Sequence, residues 1–249
     1  MRRICTTIGF GLAIFAAQST SAQSFLGFNT RGKIFLTSAS VWQGSQGNRH
    51  DVAASIPQVS GTNQLRTFAR PSNIIRGISI SGLYIRKGIV LGYDVHAGAS
   101  NIAKVTQGST TFSSRYVASD ITAQLGFILL QAGGLTISPT MGAGYALNGE
   151  RMSTDASKEA AKGNSTYTSD DIFVYNISPV GDAGLSVLYT IRHKGAVETK
   201  FTFGLRAGYK KQWASNVYRA NYDKVGDGFE ATGTEGPYAR LCLGIGLCK

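Results

Sequence analysis

The sequence predicts an all-β fold: an eight-stranded antiparallel up-and-down transmembrane β-barrel. Three observations carry this. Apolar residues alternate with small or polar ones over most of the chain, as in 135–149, "LTISPTMGAGYALNG". The connections between alternating segments are tight at one end of the path and longer at the other. One face of the strands is free of charge, while the other is rich in Gly, Ser and Thr with scattered ions.

The elements follow in order. Residues 1–22 read as a signal peptide, with Arg2 and Arg3 as a basic start, a short apolar run over 8–17 and Thr20-Ser21-Ala22 as a small-residue cleavage site. That run is too short to span a bilayer as a helix, and no later stretch approaches the roughly 20 apolar residues a spanning helix needs. Residues 23–249 are expected to form one barrel domain. Strands are expected at about 31–46, 74–86, 88–105, 112–131, 134–153, 170–192, 196–214 and 236–248. The first, with "KIFLTSASVW", alternates least cleanly, and 47–73 has room for an extra strand pair that would make ten. Only 155–164, "DASKEAAKGN", tolerates a helix.

Tight turns fall at 86–88, 132–134 and 192–196. The connections at the opposite end are 47–73, 106–111, 154–169 and 215–235. Short turns on one side and longer loops on the other are the pattern of membrane barrels. A Greek-key sandwich has no reason to sort its loops this way.

The faces decide the orientation. Leu91, Leu125, Leu185, Leu205 and Leu241 stand on the uncharged face, with Tyr84, Tyr145, Tyr175, Tyr189 and Tyr209 toward strand ends as interfacial girdles. The other face is poor in bulk, with many glycines, which weaken a water-facing strand but suit the cramped interior of an eight-stranded barrel. The oily face is therefore expected to meet lipid. In hydrocarbon an unpaired strand edge is untenable, so the sheet must close. The opposite orientation would make a secreted lipocalin-like binder with an apolar cavity.

Formal charge is +11, falling to +9 without Arg2 and Arg3. The cations are scattered and not interleaved with stacking aromatics, and the chain is exported, which excludes a nucleic-acid partner. Cys242 and Cys248 lie six residues apart on one strand, roughly 20 Å at about 3.3 Å per residue, too far for a mutual disulfide. They read as small apolar fillers.

The signal peptide, eight alternating strands, Gly-rich inner face and final "YARLCLGIGLC" together resemble the small outer-membrane β-barrel family of Gram-negative bacteria. That family includes the OmpA transmembrane domain, the OmpX/Ail adhesion and resistance proteins and the opacity-type proteins. The resemblance covers nearly all of 23–249 and rests on pattern. It implies anchoring, adhesion or envelope stability, insertion by the outer-membrane assembly machinery, and no cofactor. Family members usually end in an aromatic residue; here the chain reads Leu247-Cys248-Lys249.

Polar-face parity assigns Asp94, His96, Asp120, Gln124, Asp182, Arg192, Glu198, Lys200, Arg206, Lys210 and Arg240 to the lumen. Because a buried charge costs several kcal/mol unless paired, Asp94, Asp120 and Asp182 are expected to join Arg206 and Arg240 in a network that plugs the lumen. The three histidines, His50, His96 and His193, share no ligand spacing, which argues against a metal site. Some barrels of the resembled family are lipid A-modifying enzymes using His, Ser and an acid at the rim. Ser119-Asp120 and His50-Asp51 supply those residue types here, but no outward His-x-Ser motif does. Lys104, Arg115, Arg151 and Lys211 form a basic rim suited to lipopolysaccharide phosphates, with Arg66, Arg70 and Arg76 near the first loop. Tyr167, Tyr218, Tyr222 and Phe229 are expected to form recognition loops for a host or other extracellular ligand.

Overall fold

The computed structural model describes residues 31–44, 68–154, 172–193, 199–213, 215, 217–220, 223–224 and 235–247. Twelve strands are present among them: β1 (Arg31–Gln43), β2 (Ile74–Arg86), β3 (Ile89–Ser100), β4 (Ala103–Gln107), β5 (Thr110–Phe127), β6 (Leu130–Ala132), β7 (Leu135–Thr154), β8 (Ile172–His193), β9 (Thr199–Gln212), β10 (Arg219–Ala220), β11 (Asp223–Lys224) and β12 (Glu235–Leu247). No described helix is long and apolar enough to cross a membrane, which says nothing of strands.

Eight strands make a closed antiparallel ring in the order β1-β2-β3-β5-β7-β8-β9-β12, and β12 pairs back onto β1 from Trp42↔Tyr238 to Lys33↔Leu247. Closure leaves the ring without a free edge, as backbone in hydrocarbon requires. Each ring strand pairs with the ring strands before and after it in the chain. The β2–β3 turn is a tight reversal with Lys87 at φ 48° and Gly88 at φ 76°, the left-handed pair that matches the twist of a hairpin.

Two of the expected long strands are broken by bulges. Ala99 pairs with Val117 but Ala103 with Ser114, so four residues of one side oppose three of the other where β3 passes into β4. The same mismatch separates Gly126↔Thr140 from Leu130↔Ile137, where β5 passes into β6. There the extra residue leaves both Leu129 and Leu130 on the outside. The expected 106–111 loop shrinks to a turn around Gly108, because Gln107 already pairs with Thr110. An extra strand pair lies in the last long loop, where β10 and β11 extend the wall from β8; of 47–73, where one was expected, only 68–73 are described. Residues 45–67 lie outside the described set. So do the signal peptide, the 155–164 stretch and Cys248.

The interior is partly as expected and partly not. Leu91, Leu125, Leu185, Leu205 and Leu241 all face outward and exposed, while Asp94, Asp120, Asp182, Arg206 and Arg240 are buried inside. The lipocalin-like orientation is therefore excluded. The lumen, however, is not filled by small residues and ions alone. Leu36, Leu188 and Cys242 with Ile34 and Leu83, and beside them Ile85, Val90 and Ile128, close the short-turn end. Phe68, Phe112, Met152, Ile172, Val174 and Tyr218 close the long-loop end. This explains the poor alternation of β1: Ile34 and Leu36 point into an apolar layer while Phe35, between them, faces out.

Candidate functional site

The polar heart of the barrel is built by parity. Residues two apart on a strand share a face, so β3 sends Asp94 and His96 inward, β5 Asp120, Thr122 and Gln124, β9 Arg206 and Lys210, and β12 Tyr238 and Arg240. Three carboxylates meet three cations there. Arg240 Nη1 donates to Asp94 Oδ2 at 2.5 Å, and Ser81 Oγ donates to Asp94 Oδ1 at 2.7 Å. Arg206 Nη2 donates to Asp182 Oδ1 at 3.2 Å and to Gln124 Oε1 at 2.7 Å. Lys210 Nζ donates to Asp120 Oδ2 at 2.5 Å.

The expected network is thus brought together with one change of partner: Asp120 pairs with Lys210, not with either arginine. Register explains it, since Asp182 stands directly opposite Lys210 but is claimed by Arg206 and by the Tyr238 hydroxyl at 2.8 Å, leaving the lysine to reach across the lumen. Tyr238 sits among all three cations, with Arg240, Arg206 and Lys210 at 4.7, 5.9 and 5.9 Å from its ring centroid, and Trp42 lies 5.5 Å from Lys210. Cations against aromatic faces are stabilised by the ring quadrupole, more so when desolvated. Neither aromatic was singled out from the sequence, although both lie on inward parity. A further polar layer of Asn148, Asn176 and Gln212 was also missed. The Asn148 amide donates to Gln212, whose own amide reaches Asn176 Oδ1 at 3.4 Å.

His96 joins the network through both ring nitrogens. Nε2 is 2.8 Å from Ser40 Oγ and Nδ1 is 3.3 Å from Asp120 Oδ2. Serine, histidine and aspartate in that order have the connectivity of an activated nucleophile. Ser40 and His96 are nevertheless sealed inside the ring, with apolar layers above and below. Asp120 also shares the same oxygen with Lys210, so among the described residues this chain of contacts is part of the buried core network. Ser119 stands on the opposite face from Asp120, and His50 and Asp51 lie outside the described residues. Among the described residues no group of His, Cys, Asp and Glu is placed to hold a metal ion.

The rim is placed as follows. Lys104 and Arg151 are exposed and Arg115 is half-buried, with Arg115 directly across from Arg151 on β5 and β7. Lys211 has a partner in Glu235 at 3.2 Å. Arg76 is exposed, as is Arg70. Of the expected girdle, Tyr145, Tyr189 and Tyr209 face out, but Tyr175 is buried, stacked on Phe173 at 5.2 Å. Tyr218 corrects the loop reading: it is fully buried in the upper apolar layer and offers nothing to a ligand outside. Tyr167, Tyr222 and Phe229 lie outside the described residues. So do Glu198 and Arg66, and of Arg192 and Lys200 only the backbone pairing, each opposite the other, is described.

No protein-family model matches the chain. No curated protein matches it either. Among solved structures it is similar to Ail, the attachment invasion locus protein of Yersinia pestis, at 10% identity and TM-score 0.46, covering 88% of this chain and 100% of that one. It is similar to Neisserial surface protein A at 14% identity and TM-score 0.37, covering 87% and 96%. The outer membrane protein OprG of Pseudomonas aeruginosa follows at 11% identity and TM-score 0.33, covering 88% and 96%. The barrel stands on its closed strand pairing, not on these likenesses.

Proposed function

We propose that this chain is a non-enzymatic barrel of the Gram-negative outer membrane, anchored by its apolar belt and acting in envelope stability, adhesion or recognition through its long-loop end. One observation carries the reading: an uncharged apolar exterior surrounds an interior of buried ion pairs, the inverse of a water-soluble barrel. Exposed apolar side chains ring the wall from Ile78 and Leu91 to Leu205 and Leu241. A soluble monomer exposes few contiguous apolar patches beyond several hundred Å². Residues 1–22 are then the export signal, and the assembly machinery of the outer membrane inserts the barrel.

Heat-modifiable gel mobility after detergent extraction of an outer-membrane fraction is the test. The folded band is expected to run faster than the boiled one. Recovery in the soluble periplasmic fraction overturns the reading. The basic rim adds a partner. Arg115 and Arg151 face each other in register near the long-loop end of β5 and β7, and guanidinium groups bind phosphate through charge-assisted hydrogen bonds, which suits this pair to lipopolysaccharide phosphates. Arg115→Ala/Arg151→Ala is expected to weaken lipopolysaccharide co-purification while leaving heat-modifiability intact. Unchanged co-purification removes this pair from the interface.

A further inference from the structure

Between the ion pairs and the lower apolar layer lies a cavity of about 10 Å³, room for one water molecule. Leu36, Leu83 and Leu188 form its apolar side, and Arg206, Arg240 and Thr140 its polar side. The two arginines stand directly opposite each other on β9 and β12. Each commits terminal nitrogens to a carboxylate, Arg206 to Asp182 and Arg240 to Asp94. Among the described residues their Nε–H groups have no partner, and neither does the Thr140 hydroxyl. All three side chains are more than nine-tenths buried. An orphaned buried donor or acceptor costs about 1–3 kcal/mol, so three such atoms carried by residues that line one water-sized space point to a ligand there.

We propose that this cavity binds a single internal water, which accepts from Arg206 Nε and Arg240 Nε and donates to Thr140 Oγ1. The charge count selects water over a halide. Asp94, Asp120 and Asp182 already balance Arg206, Lys210 and Arg240, so an added anion would be an uncompensated buried charge costing several kcal/mol. Water is neutral, has the two lone pairs the guanidiniums require, and has a hydrogen for the hydroxyl. A second hydrogen is available to Ser186, which also lines the cavity. The bridge ties two like-charged side chains to one shared acceptor and holds both against their carboxylates. The inference needs only the sealed lumen and stands whether or not the rim binds lipopolysaccharide.

Two measurements on the full refolded chain in detergent test it. In crystals grown from bromide salts, one density peak is expected within hydrogen-bond distance of both Nε atoms and Thr140 Oγ1, without anomalous bromine signal. A bromine signal there, or an absence of density, overturns the proposal. The near-isosteric Thr140→Val variant gives a readout by sign. If water bridges the hydroxyl, removing it lowers the midpoint temperature of the gel-mobility transition by about 2–4 °C. If the hydroxyl is orphaned, removing it spares a desolvation penalty, and an unchanged or raised midpoint overturns the proposal.

Discussion

Asp94, fully buried against Arg240, illustrates how a single side chain is held and how much of that was readable. Its inward position follows from parity alone, because Val95 and Tyr93 beside it must then face out. Its partner does not: Asp94 and Arg240 lie 146 residues apart, and several cations share the inward parity. Asp94→Ala leaves the Arg240 guanidinium without its carboxylate and is expected to cost about 3–5 kcal/mol, read from the urea midpoint of the refolded barrel. Asp94→Ala/Arg240→Met is expected to recover much of that loss; a double variant no better than the single would show that the pairing is not what Asp94 contributes. Tyr218 shows the opposite case. An aromatic among Gly, Asn and Asp reads as an exposed contact, and nothing in the local pattern tells that the chain folds back to bury it with Phe68 and Phe112.

At the scale of the strand, the alternation located the walls and the bulges remained hidden. A bulge is a mismatch between two chains, visible only once Ala103 is found opposite Ser114 while Ala99 is opposite Val117. The outward face of β9 and β12 belongs to lipid, so Leu205→Arg, in the belt beside Leu241, is expected to destabilise the barrel by about 2–4 kcal/mol when folded into vesicles. Lys211→Ala at the exposed rim removes a pair worth only about 0–1 kcal/mol and is expected to leave the same midpoint nearly unchanged. Equal effects from the two would place the belt elsewhere. Small residues on the inner face have their own element-level reason. A Cβ at Gly144 would overlap the Ile121 carbonyl oxygen of the neighbouring strand, so Gly144→Ala is expected to deplete the fast-running folded band by disturbing the β5–β7 pairing.

For the whole molecule, the decisive feature is a lumen closed three times: by the apolar layer under the long loops, by the ion pairs, and by the apolar layer at the short-turn end. Planar-bilayer recording is expected to show no steady current, and a large one would contradict this layering. The sequence by itself determined the main strand walls, the oily outer face and the charged residues of the ion-pair layer, because a period of two assigns each side chain to one of two faces irrespective of what lies across from it. Only the tertiary structure decided the partners and the plugs. Whether Asp120 meets a lysine or an arginine, whether Tyr218 faces out or in, and which layers are oily depend on stagger around a closed ring. Closure brings together residues that no local spacing relates.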